Sequence, residues 1–191
     1  MVMPAVQDKH WTASEVQAMQ EADPHHRYQV VDGELLVSPG PKRLHQKCVV
    51  ELVRILGDYL DSWSAAGDLL AGPGEVIPDE HTGMQPDVFV IPLVDGEPPQ
   101  DWDTNGRLLL AIEVLSPSTA RFDRVMKRPK YQEMGALYWI VDTDARVVEE
   151  WLPSASQPSI HAERVEWRPQ GAEEPLVIDV PAFFRKVFRE R

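Results

Sequence analysis

The chain carries 191 residues, 43% of them apolar, with six tryptophans and a single cysteine. That composition supports a packed core without disulfides and excludes a disordered or low-complexity polypeptide. Nineteen basic residues against thirty-one acidic ones give a net charge of −12, which excludes a general nucleic-acid coat but not an enzyme with a local basic patch. No apolar run approaches the roughly 20 residues that span a bilayer. The start, MVMPAVQDKHW, lacks the basic and apolar regions of a signal peptide. The expectation is one soluble, cytoplasmic domain over residues 1–191.

Thr12 and Glu15 stand at capping-box spacing before a helix that runs to about residue 22. RYQVVDGELLVSPG reads as a hairpin, with Asp32 and Gly33 supplying a type I′ turn. Leu44, Cys48, Leu52, Ile55, Leu56 and Tyr59 recur every three or four residues, which predicts a long helix over 43–65 with Cys48 as a small buried thiol. Short strands are expected near 68–71 and 74–77. DVFVI and RLLLAIEVL carry so little polarity that both read as strands covered on two faces. VDGEPPQDWDTNG between them is turn-forming and acidic, hence a loop.

A helical segment capped by Ser116 and Ser118 then runs to about Met134. LYWIVD and ARVVEEWL form a strand pair, and a weaker strand lies near 160–167. PLVIDV and the helix AFFRKVFR follow. The predicted class is α/β: a mixed β-sheet core flanked by helices, with an N-terminal hairpin and additional C-terminal strands.

Two acids stand out against this pattern. Asp87 opens one apolar strand and Glu113 interrupts the other, where an unpaired carboxylate costs several kcal/mol. A divalent cation is the simplest partner for both. The plainer alternatives are an exposed strand-start acid for Asp87 and a structural ion pair for Glu113. Residues 121–130 add a local basic patch, with Arg121, Arg124, Lys127, Arg128 and Lys130 against one acid, Asp123. A solvated helix face explains any single one of these cations equally well. Asp123, Lys127 and Tyr131 follow at four-residue spacing and share a face if the helix is continuous. Pro129 sits within that stretch, so a helix beginning near it would leave Lys127 on a turn. The histidines at 10, 25, 26, 81 and 161 show no metal-ligand spacing.

QPDVFVIP, IEVLSPSTARFDRVMKRPKYQEMG and LYWIVD closely resemble the Uma2 family, and the likeness extends from YQVVDGELLVSP to the final helix. The resemblance implies a restriction-endonuclease-like fold and a place among the PD-(D/E)XK nucleases. Asp87, after Pro86, matches the acid of the PD element and Glu113 that of the (D/E)XK element. Both are implied metal ligands, with Mg²⁺ or Mn²⁺ as the cofactor. The lysine usually found two positions after the second acid is replaced by Leu115, and Lys127 matches a lysine that has migrated to the next helix. Asp123 and Tyr131 accompany it, while His45 and Glu34 match positions bordering the site. A second departure is Leu137, where Glu is common, after a spacing one residue short. The implied substrate is DNA, contacted by Arg121, Arg124, Arg128 and Lys130, and the implied assembly is a homodimer that cuts both strands. Trp151 and the aromatic C-terminal segment are the apolar surfaces that such a dimer could use.

Phosphodiester hydrolysis needs an attacking water and neutralisation of an anionic transition state, and two carboxylates suffice to hold Mg²⁺ for both tasks. The expectation is a Mg²⁺-dependent endonuclease in which Lys127, its pKa depressed beside the metal, orients water or steadies the phosphorus. Two other classes remain open: a catalytically inactive nuclease-like fold used as a binding or assembly module, and a hydrolase of small phosphorylated molecules.

Overall fold

The computed structural model describes residues 9–63, 67–99, 107–116 and 119–190. Helix α1 (Ala13–Ala22) starts with the expected capping box, in which the Thr12 hydroxyl accepts from Glu15 N–H and Glu15 accepts from Thr12 N–H. Strands β1 (His26–Val31) and β2 (Glu34–Pro39) form the hairpin. Its turn places Asp32 at φ 49° and Gly33 at φ 77°, the two positive angles a type I′ turn requires. Helix α2 (Arg43–Ser62) buries Cys48, Leu52, Leu56 and Leu60 along one stripe. After β3 (Asp68–Ala71) come β4 (Val76–Asp79), two residues later than expected, and β5 (Thr82–Met84), which had no counterpart in the sequence pattern.

Strands β6 (Val88–Ile91) and β7 (Leu110–Val114) are buried at every position. The acidic loop between them lies partly, and Ser118 wholly, outside the described residues. From Ala120 the segment is helical but not uniform: α3 (Ala120–Phe122), a π-helical turn over Asp123–Lys127, then α4 (Arg128–Glu133). Pro129 is the physical reason. It cannot donate a backbone bond and falls in the first turn of α4, where no donor is needed. The Arg128 N–H reaches back five residues to the Asp123 carbonyl, and the Arg128 Nε bonds the Arg124 carbonyl at 3.1 Å. The helix therefore passes through the proline by widening, and Asp123, Lys127 and Tyr131 stay on one side.

Strands β8 (Leu137–Asp142) and β9 (Val147–Trp151) pair as expected. The weak strand near 160–167 is two strands, β10 (Ser159–His161) and β11 (Arg164–Trp167), in different sheets. Strand β12 (Leu176–Asp179) and helix α5 (Val180–Phe188) follow. The six-stranded sheet runs β10-β9-β8-β7-β6-β3, with β7 and β8 its parallel pair. A parallel pair needs a crossover, and the α3–α4 segment supplies it. One face of the sheet packs on α2, α5 and the β11–β12 ribbon through Leu52, Leu56, Ile112, Trp139 and Phe184. The other packs through Phe89, Tyr131, Tyr138 and Ile140. No described helix is long and apolar enough to cross a membrane.

Two surfaces expected at a dimer contact are inside instead. Trp151 and the α5 residues Phe183 and Phe184 are buried in the two cores. Their apolar character is the demand of the fold itself.

Candidate active site

Glu113 and Asp87 meet at one end of the β6–β7 pair. Val88 is in register with Ile112, and the Asp87 N–H donates to the Ile112 carbonyl at 3.1 Å, so Asp87 sits just beyond the last paired residue of β6. The Val114 N–H, at the end of β7, then donates to Asp87 Oδ2 at 2.8 Å. The carboxylate thus closes the ladder where the backbone partner stops. His45 Nε2, in the first turns of α2, donates to the same Oδ2 at 3.0 Å, while Arg27 Nη1, from β1, reaches Oδ1 at 2.9 Å. Burial opposes ionisation of Asp87, but His45, Arg27 and the Val114 N–H outweigh it and hold the carboxyl well below the usual range.

Glu113 is 2% exposed and takes both of its hydrogen bonds on Oε1, from Lys127 Nζ at 2.8 Å and Tyr131 OH at 3.0 Å. Burial pushes its carboxyl up to about 7, against the pull of Lys127 and with the help of nearby Asp87 and Asp123. Lys127, itself 1% exposed, also stands 3.1 Å from Asp123 Oδ1. Burial disfavours its charge, yet the two acids overcome that and raise its pKa. The two acidic neighbours therefore favour the charged form of Lys127. Burial and Glu113 hold the Tyr131 phenol far above its ordinary value, so it serves as a donor.

These groups surround a cleft of about 460 Å³, lined by Arg27, His45, Asp87, Glu113, Asp123 and Lys127 among others. The oxygen-only set offered by Asp87 and Glu113 fits a hard dication such as Mg²⁺, which needs only one or two carboxylates and keeps several waters. Among the described residues, no three His, Cys, Asp or Glu side chains gather into a closed cage. Among the described residues, buried His45 Nδ1 has no hydrogen-bond partner, and Asp123 Oδ1 is met by the Lys127 ammonium without an aligned hydrogen bond.

The remaining expected residues stand elsewhere. Glu34 is exposed at the hairpin turn, opposite Val31, and joins none of these contacts. Arg124 is held by Glu149 and by Asp142 at 3.0 Å. Arg128 lies over the Trp151 ring at 4.6 Å and bonds Gln132, and Lys130 pairs with Asp32 and Glu133. Arg121 is exposed. Most of the basic patch is therefore spent within the molecule. Arg27 was missed because one arginine at the start of a hairpin strand has no pattern; only the tertiary pairing with Asp87 exposes it.

A family model for Uma2, described as "Putative restriction endonuclease", matches residues 13–185. The chain belongs to the Uma2 family. A solved structure of a protein from Anabaena variabilis, titled a putative nuclease belonging to DUF820, superposes with a TM-score of 0.67 over 84% of this chain and 90% of that one. At 17% identity, that likeness establishes the shared fold. No curated protein matches the chain significantly. The family is thus the one described as "Putative restriction endonuclease", the fold is shared with the solved structure, and the Uma2 match contains every residue of the cleft cluster named above.

Proposed function

We propose that this Uma2 protein is a Mg²⁺-dependent endonuclease that hydrolyses DNA phosphodiester bonds. The observation that carries the reading is the joining of Asp87, Glu113 and Lys127 around one cleft from three separate elements. Asp87 and Glu113 would hold the cation, which when bound would acidify a water and neutralise charge on the phosphoryl oxygens. Lys127, kept protonated by Glu113 and Asp123, presents a permanent positive charge where the transition state gains negative charge. Tyr131 and Lys127 together fix the Glu113 carboxylate through Oε1, which aims Oε2. His45 and the Val114 N–H do the same for Asp87 through Oδ2, which aims Oδ1. The whole of residues 1–191 would act as one domain.

The test is cleavage of plasmid and short duplex DNA with Mg²⁺ or Mn²⁺, comparing the native protein with Asp87→Ala and Lys127→Ala. Loss of cutting in both variants, with the native protein active, is the expected result. A second reading, an inactive nuclease-like fold used for binding, is favoured by the pairing of both acids with protein cations. It predicts no heat of Mn²⁺ binding in calorimetry and no cutting of any DNA form.

A further inference from the structure

Asp87 Oδ2 is filled from two directions, by His45 Nε2 at 3.0 Å and the Val114 N–H at 2.8 Å. Among the described residues, Oδ1 accepts from Arg27 Nη1 alone, at 2.9 Å. A cation seeking Asp87 must therefore come to the oxygen that Arg27 occupies. Two positive charges cannot share that oxygen cheaply in a buried site, because their repulsion is weakly screened there. The two therefore compete for Asp87, and the more weakly held one is the one displaced.

Lys127 holds Glu113 through Oε1 and leaves Oε2 to a cation, so it need not move, and it cannot. Its side chain is 2% exposed and is bracketed by two acids, Glu113 and Asp123. Arg27 differs on both counts. Its side chain is 21% exposed, Asp87 is the one acid in contact with it among the described residues, Glu113 acts on it only at longer range, and its other bonds go to neutral groups, the Gln85 side-chain and backbone oxygens. It also lies in the wall between the cleft and a second hollow of about 470 Å³, since both are lined by Arg27 and Asp87. A guanidinium released from Oδ1 still lines the cleft, tethered by Gln85, and its planar fork suits a phosphodiester.

We infer that Arg27 is an exchangeable counter-ion: it holds Asp87 in the absence of a divalent cation, yields Oδ1 when one binds, and turns to the phosphate of the substrate. The inference rests on the metal site proposed above. It assigns Arg27 two roles in sequence, and explains how a buried acid can fold without metal and still accept one.

Calorimetric titration of the native protein and Arg27→Gln with Mn²⁺ tests the exchange, with thermal unfolding recorded for both. Removal of the competitor is expected to tighten Mn²⁺ binding at least about fivefold, within the usual range of coupling between sites. The Mn²⁺-dependent gain in affinity for the phosphorylated dinucleotide pdTdT should be lost in the same variant. Arg27→Lys, which retains the charge, should bind Mn²⁺ close to the native level. In the native protein, the Arg27 Nε–H resonance should shift on addition of Mg²⁺, a readout that survives any failure of the variants to fold. Mn²⁺ binding that is unchanged or weaker in Arg27→Gln, or an Arg27 resonance indifferent to Mg²⁺, overturns the exchange while leaving the metal site standing. No Mn²⁺ binding by the native protein or the variant overturns both.

Discussion

Lys127 Nζ rests 2.8 Å from Glu113 Oε1, a contact between a strand and the crossover helix that leaves it. The parallel pairing of β7 with β8 makes the crossover necessary, and the crossover lays its Asp123–Lys127–Tyr131 face back over the strand. A lysine displaced from the strand thus reaches the same carboxylate by a different route.

Removing that lysine should be costly. Lys127→Ala leaves Glu113 and Asp123 buried without their cation, a loss of about 3–5 kcal/mol when a buried pair is broken. Urea unfolding is the measurement. A loss below about 1 kcal/mol, the range of exposed pairs, would show that the lysine is not buried as described.

Stability should fall with rising pH because of Glu113. Its carboxyl is pushed up to about 7, above its unfolded value, so the stability it contributes is complete below the unfolded pKa and disappears as pH rises through about 7. Asp87 acts in the opposite sense: its pKa is depressed, so its contribution is present above the ordinary aspartate range and is lost only in acid. Between about pH 5 and 8, therefore, the native protein should lose on the order of 2 kcal/mol relative to Glu113→Gln. Parallel melting curves of the two proteins across that range would refute this.

Asp87→Asn should abolish the heat of Mn²⁺ binding and DNA cutting together. The amide keeps the size of the side chain but leaves Arg27 without its charged partner, so a stability cost of about 1–3 kcal/mol is also expected. Calorimetry and unfolding on the same preparation separate the two effects.

Tyr131→Phe removes one of two donors from Glu113 Oε1 and leaves the ring packed beside Tyr138. About 1 kcal/mol of stability should go, with a larger fall in kcat than in KM if the bond aims the carboxylate.

Glu34→Ala should change almost nothing. The side chain is exposed, so stability is expected to stay within about 0.5 kcal/mol and Mn²⁺ affinity to match the native protein. An effect of tenfold or more on affinity would return Glu34 to the site.

Local rules carried most of the elements. The Thr12–Glu15 box, the Asp32-Gly33 turn and the Cys48–Leu52–Leu56 stripe are each complete within a few residues, so their geometry is legible without the rest of the chain. Strand β5 escaped notice because three residues, one of them Gly83, carry no periodicity. The split of 160–167 was equally hidden: β10 and β11 differ in their partners rather than in their composition.

By itself, the chain determined which acids needed an explanation, since Asp87 and Glu113 stand in apolar runs where the cost of burial is visible residue by residue. It also determined the family through the order of its motifs. What only the tertiary structure decided is who neutralises those acids. Arg27 reaches Asp87 across 60 positions and His45 across 42, whereas Arg124, Arg128 and Lys130, basic by composition, are consumed by partners of their own. Burial is written locally in hydrophobicity, but charge pairing in a folded protein is set by distances of a few ångströms between segments far apart in the chain.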